Sequence, residues 1–177
     1  MIFRRWIPAC TLALLALVTP DLARAQSGRT PTEQATERAA RAFYDAYQRA
    51  DLATMERLYA PNVSFQDEIF SYSDRDGTMG MWAALAPQTK VTWELLEVRG
   101  TTAKVLWKAD YELFGRKVHN EITATLTVED GQIVRHRDAF SWASWSRQAL
   151  PLGGIPTWGP AERTIKFALR TFVNHQA

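Results

Sequence analysis

Cysteine is nearly missing from this sequence: of its 177 residues only Cys10 is one. That residue sits in an N-terminal stretch with the three parts of a secretory signal. Arg4 and Arg5 give a positive start, Ile7 to Val18 an apolar run, and Ala23-Arg24-Ala25 a small-x-small cleavage site. The run falls short of the roughly twenty residues that span a bilayer, and Pro20 and Asp21 end it. Cleavage after Ala25 is therefore expected, with export to the periplasm or beyond and no membrane span left behind. A mature chain without cysteine excludes disulfides, thiol catalysis and cysteine-ligated zinc. Net charge goes too. The leader holds Arg4, Arg5 and Arg24 against Asp21, so 21 basic and 19 acidic residues become 18 of each. A neutral chain lacks the basic footprint of a nucleic-acid binder.

Other absences narrow the chemistry. There is no glycine-rich phosphate loop, no Gly-x-Ser-x-Gly elbow, and no repeat or low-complexity tract. His119, His136 and His175 are scattered. The first two would meet across neighbouring strands, but two histidines without a placed carboxylate make no zinc site. Neither a metal nor a cofactor is expected.

What is present reads as one domain. Residues 26–33 form a linker and a helix start, where Thr30, Pro31 and Glu33 have the pattern of a capping box with proline at N1. Ala35, Ala39, Ala42, Phe43, Ala46, Tyr47 and Ala50 follow at helical spacing. Asp51 caps a second helix that Pro61 stops, and a short strand spans Val63 to Phe65. From Ser71 the chain reads as loop, then as a short helix from Met79 to Ala86. After Pro87 the period becomes two. Val91, Trp93 and Leu95 begin it, and Val105, Trp107, Ala109, Tyr111 and Leu113 form one face of a long strand. A strand through Val118, Asn120 and Ile122 and another from Ile133 to Trp142 complete the set. Asp130-Gly131 between them is a hairpin turn. Short helices from Ser144 to Leu150 and from Ala161 to Val173 close the chain. Helices followed by consecutive strands predict an α+β fold, a curved antiparallel sheet wrapped on N-terminal helices. The main domain is placed at 34–150, and 151–177 is a C-terminal extension with a helix.

Arg41-Ala42-Phe43-Tyr44-Asp45-Ala46 with Asp51-Leu52-Ala53-Thr54-Met55, then Leu58 to Asp67, then Gly131 to Phe140 carry a likeness in their order. They resemble the nuclear transport factor 2-like superfamily, which includes ketosteroid isomerase, SnoaL-like polyketide cyclases and limonene epoxide hydrolase. The resemblance covers roughly 34–145 and implies a cystatin-like cone with a pocket between sheet and helices. Relatives use that pocket for isomerisation, cyclisation, hydrolysis or binding, so fold alone does not decide activity.

Asp138 shares a strand face with His136 and Phe140. A carboxyl in a dry pocket serves as a general base or as a protonated donor, and Asp138 matches the position of a catalytic aspartate in the epoxide hydrolases. Lys108-Ala109-Asp110 resembles their Arg-x-Asp pair. Strand alternation, however, puts Trp107, Ala109 and Tyr111 on the buried face and sends Lys108 and Asp110 to solvent. The relatives' water-holding tyrosine and asparagine correspond to Phe65 and Asp67, and phenylalanine cannot hold a water. Asp67 is either a second working carboxylate at the pocket mouth or a turn residue. Tyr44 and Tyr47 lie where ketosteroid isomerases keep a phenol, and Tyr47 points inward. Asn120 either binds ligand or satisfies buried backbone.

The catalytic candidates are thus Asp138, Asp110 and Asp67, with Tyr47, Trp82, Trp107, Asn120 and His136 expected around a small apolar molecule. Three readings stay open. One is a cofactor-free acid–base enzyme. Another is an exported binding module with an aromatic pocket from Tyr47, Trp82, Trp93 or Trp107. The third is a homodimer through the sheet, with the last helix packed on a partner.

Overall fold

The computed structural model describes residues 28–151 and 159–175, so the expected leader lies outside the described residues. Helix α1 spans Pro31–Gln48. Thr30 and Glu33 close the capping box, and the buried stripe of Ala39, Ala40, Phe43, Tyr44, Ala46 and Tyr47 faces the sheet. Ala50 at φ 52° breaks the helix, and Asp51 Oδ1 accepts the Thr54 N–H at 3.1 Å to start α2, Leu52–Leu58.

Strand β1 (Tyr59–Gln66) is longer than expected, and Ser71–Tyr72, read as loop, is a short strand β2 paired with it. Helix α3 covers Arg75–Leu85. It starts before the expected Met79 because Asp74 caps it through the Gly77 N–H at 2.7 Å. Four long strands follow: β3 Lys90–Arg99, β4 Thr102–Leu113, β5 Arg116–Glu129 and β6 Gln132–Ala139. Phe114-Gly115 and Asp130-Gly131 have φ of 52° and 72°, and of 48° and 79°. Two positive φ values in a two-residue loop make the type I′ turn that right-twisted hairpins require.

The sheet order is β2-β1-β6-β5-β4-β3. The meander from β3 to β6 is antiparallel, as expected, but β1 runs parallel to β6. The sheet is therefore mixed rather than antiparallel. Such a pairing needs a long connection, and the whole of β2 to β5 supplies it.

Helix α4 (Trp142–Ala149) and helix α5 (Pro160–Asn174) complete the fold. Helix α5 packs on its own chain: Leu169 and Val173 are buried in the core cluster, Arg170 Nε donates to the Ile69 carbonyl, and Lys166 Nζ lies 4.7 Å from the Trp142 ring. Among the described residues no helix is long and apolar enough to cross a membrane.

Candidate active site

The inward faces of β4, β5 and β6, with α1, α3 and α5, enclose a cavity of about 110 Å³. An apolar cavity of roughly 150 Å³ takes a benzene-sized ligand, so this one suits a single small ring with α5 in place. Tyr47, Trp82, Trp107 and Asn120 line it as expected, together with Tyr111, Trp145 and the α5 residues Leu169, Phe172 and Val173. Trp93 does not; it packs on Tyr44, ring centres 5.8 Å apart, beneath Arg41. Among the described lining residues the charge-bearing side chains are Asp67, Glu112 and Asp138, and no Lys, Arg or His is present.

Strand alternation places Asp138, 3 % exposed, on the inner face opposite Ala124. Trp107 Nε1–H donates to its Oδ1 at 3.3 Å, and His136 Nε2 lies 3.0 Å from the same oxygen. The second oxygen, Oδ2, has no protein partner among the described residues and opens on the cavity.

His136, expected around the ligand, is not among the residues that line the cavity. It is fully buried behind Asp138. Its Nδ1 is 2.6 Å from the Tyr59 hydroxyl, which accepts the Trp82 Nε1–H at 3.1 Å. Tyr44 Oη lies 3.4 Å from Nε2. Nor does His136 meet His119, which sits on the outer face. Tyr59 went unread because it stands where α2 passes into β1, before any strand alternation is established. Its place within the Leu58 to Asp67 segment was the available signal.

Asp67 holds a turn and also lines the cavity. Its Oδ1 accepts the backbone N–H groups of Ile69, at 2.6 Å, and Phe70, which closes a turn. The same carboxyl lines the cavity with Oδ2 unpaired among the described residues. Burial pushes its pKa up to about 7, with Asp138 and Glu68 adding repulsion and the two backbone N–H groups opposing the shift. Burial likewise raises the Tyr44, Tyr47 and Tyr59 phenols, with the Asp138 charge adding to each. At Tyr111 burial lifts the pKa to about 12, although its oxygen accepts the Trp145 N–H at 2.6 Å. All four phenols thus remain hydrogen-bond donors at neutral pH.

Asp110 lies away from this cavity. It projects from the outer face, 54 % exposed, 2.6 Å from His119 Nδ1, and neighbouring Lys108 pairs with Glu121 at 3.3 Å. Strand alternation overrides the likeness to the Arg-x-Asp pair: with Trp107 and Ala109 inward, residues 108 and 110 must point out. Phe65 is buried against His136 and Trp82, at 5.2 and 5.5 Å between ring centres. No group of three or more His, Cys, Asp or Glu side chains placed to hold a metal occurs among the described residues.

Comparison with known proteins agrees with this architecture. A LEH-like epoxide hydrolase of M. tuberculosis superposes with a TM-score of 0.55 at 16% identity, covering 63% of this chain and 86% of its own. A protein assigned as a polyketide cyclase from Xanthomonas campestris pv. campestris gives 0.60 at 18% identity, covering 67% and 99%. A Catenulispora acidiphila protein with a ketosteroid isomerase-like fold, in complex with trimethylamine, gives 0.55 at 15% identity, covering 69% and 97%. At such identities the likeness is one of fold. No curated protein sequence matches the chain. The SnoaL-like domain family matches residues 40–136, more than half of the sequence, and ends before α4 and α5. The chain belongs to the SnoaL-like domain family.

Proposed function

We propose that this SnoaL-like domain is an exported, cofactor-free acid–base enzyme that moves a proton within a small, apolar molecule. The observation that carries the reading is the pairing of two carboxyls in one apolar cavity. Each is anchored through Oδ1 and presents a free Oδ2, and one is raised to about 7. A carboxyl that keeps its proton up to about pH 7 suits Asp67 to the role of acid and leaves that of base to Asp138. In this reaction Asp138 Oδ2 takes a proton from carbon beside a carbonyl, and Asp67 gives its proton to the carbonyl oxygen. Where the substrate carries a double bond one carbon further on, the resulting dienol takes the Asp138 proton at the far end of that double bond while Asp67 recovers its own. The result is an isomerisation. Where the enol carbon instead attacks a second carbonyl of the same molecule, the new oxyanion takes the Asp138 proton and Asp67 recovers the enol proton, which closes a ring.

Lining charges of one sign argue against anionic substrates. Limonene-type hydrolysis is not supported, because Asp110 and Lys108 lie outside the cavity and Phe65 has no polar atom to hold a water. Helix α5 over the mouth favours a second reading, ligand holding without turnover. Both are tested with a panel of small enolisable ketones and their non-reactive analogues. The enzyme reading expects turnover that Asp138→Asn lowers by about a hundredfold or more while analogue affinity survives. Binding of analogues with no turnover by the unsubstituted protein would leave the second reading standing.

A further inference from the structure

His136 is a fully buried imidazole ringed by Phe43, Phe65 and Trp82. Its surroundings determine which nitrogen carries the proton. Trp82 Nε1 can only donate, so the Tyr59 oxygen accepts at 3.1 Å. The Tyr59 proton then has one acceptor within reach among the described residues, Nδ1 of His136 at 2.6 Å. With Nδ1 accepting, the imidazole proton sits on Nε2 and points at Asp138 Oδ1, 3.0 Å away. Tyr44 Oη, at 3.4 Å from the same nitrogen, is the longer contact and competes less for it than Tyr59 does for Nδ1 at 2.6 Å. A donor chain therefore runs one way, from Trp82 through Tyr59 and His136 to Asp138.

From this geometry we infer that His136 is a positioning residue, locked as the Nε2–H tautomer by Tyr59, that fixes Asp138 with Oδ2 alone facing the cavity. It touches no ligand and acts through Asp138. Trp107 approaches the same oxygen, at 3.3 Å, from β4. Donors from two strands converge on Oδ1, so the carboxyl cannot rotate to exchange its oxygens without losing both hydrogen bonds. The inference rests on the acid–base reading for what Asp138 does, but the tautomer lock stands without it.

Nitrogen-15 spectra of the imidazoles of the ligand-free protein test the lock, with His136 assigned by comparison with His136→Gln. A protonated Nε2 with a bare Nδ1 is expected, and Tyr59→Phe is expected to release a mixture of tautomers. A protonated Nδ1, or a spectrum that Tyr59→Phe leaves unchanged, overturns the lock. The positioning role is read in kinetics with a substrate from the ketone panel. His136→Leu, which removes the donor, is expected to lower kcat about 10- to 100-fold with KM little changed, the scale of one hydrogen bond to a charged group. Glutamine, whose side-chain N–H reaches as far as Nε2–H, is expected to restore most of that loss. Equal kcat values for the leucine and glutamine variants, both folded, overturn the positioning role. If the unsubstituted protein turns nothing over, the acid–base reading falls with the role that depends on it, and the spectra still decide the lock.

Discussion

His136 Nε2 and Asp138 Oδ1 stand 3.0 Å apart although both side chains leave the same strand, two residues from each other, on its buried face. Alternate residues on a strand share a face, but side chains there stand roughly parallel. Contact arises because the histidine is held from behind by Tyr59, while Trp107 holds the aspartate from β4. The site's rigidity is thus a property of three strands and a helix together.

Asp138→Asn is expected to reduce turnover by about 10²- to 10⁴-fold, the usual share of a positioned base. Affinity for non-reactive analogues, read from quenching of Trp82 and Trp107 fluorescence, is expected to change little. Retention of turnover within a factor of three would remove Asp138 from the mechanism.

Asp67 makes stability depend on pH in the direction opposite to most carboxylates. Its pKa is about 4 in the unfolded chain and about 7 in the fold. The folded state therefore holds a proton the unfolded state has lost, and stability falls as pH rises from 4 to 7. Asp67→Asn keeps the oxygen that accepts from Ile69 and Phe70 and removes the titration. Denaturation across this range is expected to show a flatter profile for the variant. Turnover that needs the Asp67 proton is expected to decline above pH 7 in the unsubstituted enzyme.

The outer face supplies a control. Asp110→Asn and Lys108→Ala are expected to leave kcat and KM unchanged and to shift stability by less than about 1 kcal/mol, as exposed ion pairs do. Kinetics and urea denaturation on the two variants check this. A large kinetic loss would mean that the likeness to the epoxide hydrolases' Arg-x-Asp pair carries function after all.

Leu169→Ala removes a buried anchor of α5 from the cavity roof. A cost of roughly 2 to 5 kcal/mol is typical of such a truncation. Faster release of a bound analogue is expected alongside it, measured by stopped-flow fluorescence. Unchanged release would show that α5 does not govern access.

Export is checked by the N-terminus of the mature protein, expected at Gln26 when the chain is produced in a secreting bacterial host. An N-terminus at Met1 on the recovered protein would count against the leader.

Much of this was legible in the residues because local rules agreed with the fold. The Thr30-Glu33 capping box, the Asp51 cap and the Asp130-Gly131 turn formed as their sequences imply. Period-two spacing placed Trp107, Asn120 and Asp138 inside. At Asp110 a family likeness and strand alternation disagreed, and alternation won because the sheet's outer face is solvated. The parallel pairing of β1 with β6 was not legible, since register between strands some seventy residues apart leaves no local mark. Nor was the role of His136, which depends on Tyr59 and Trp82 arriving from β1 and α3. The roof over the cavity was unread for the same reason: the spacing of α5 shows an apolar face, but not which surface that face covers.

The hydrogen bond between Tyr59 and His136 closes a loop of 77 residues. Contacts of that separation form late, after the intervening chain has paid its ordering entropy. A chain that has not yet laid β6 beside β1 has neither the lock nor an oriented Asp138. On the proposed acid–base reading, the protein is thus chemically silent until its sheet is complete.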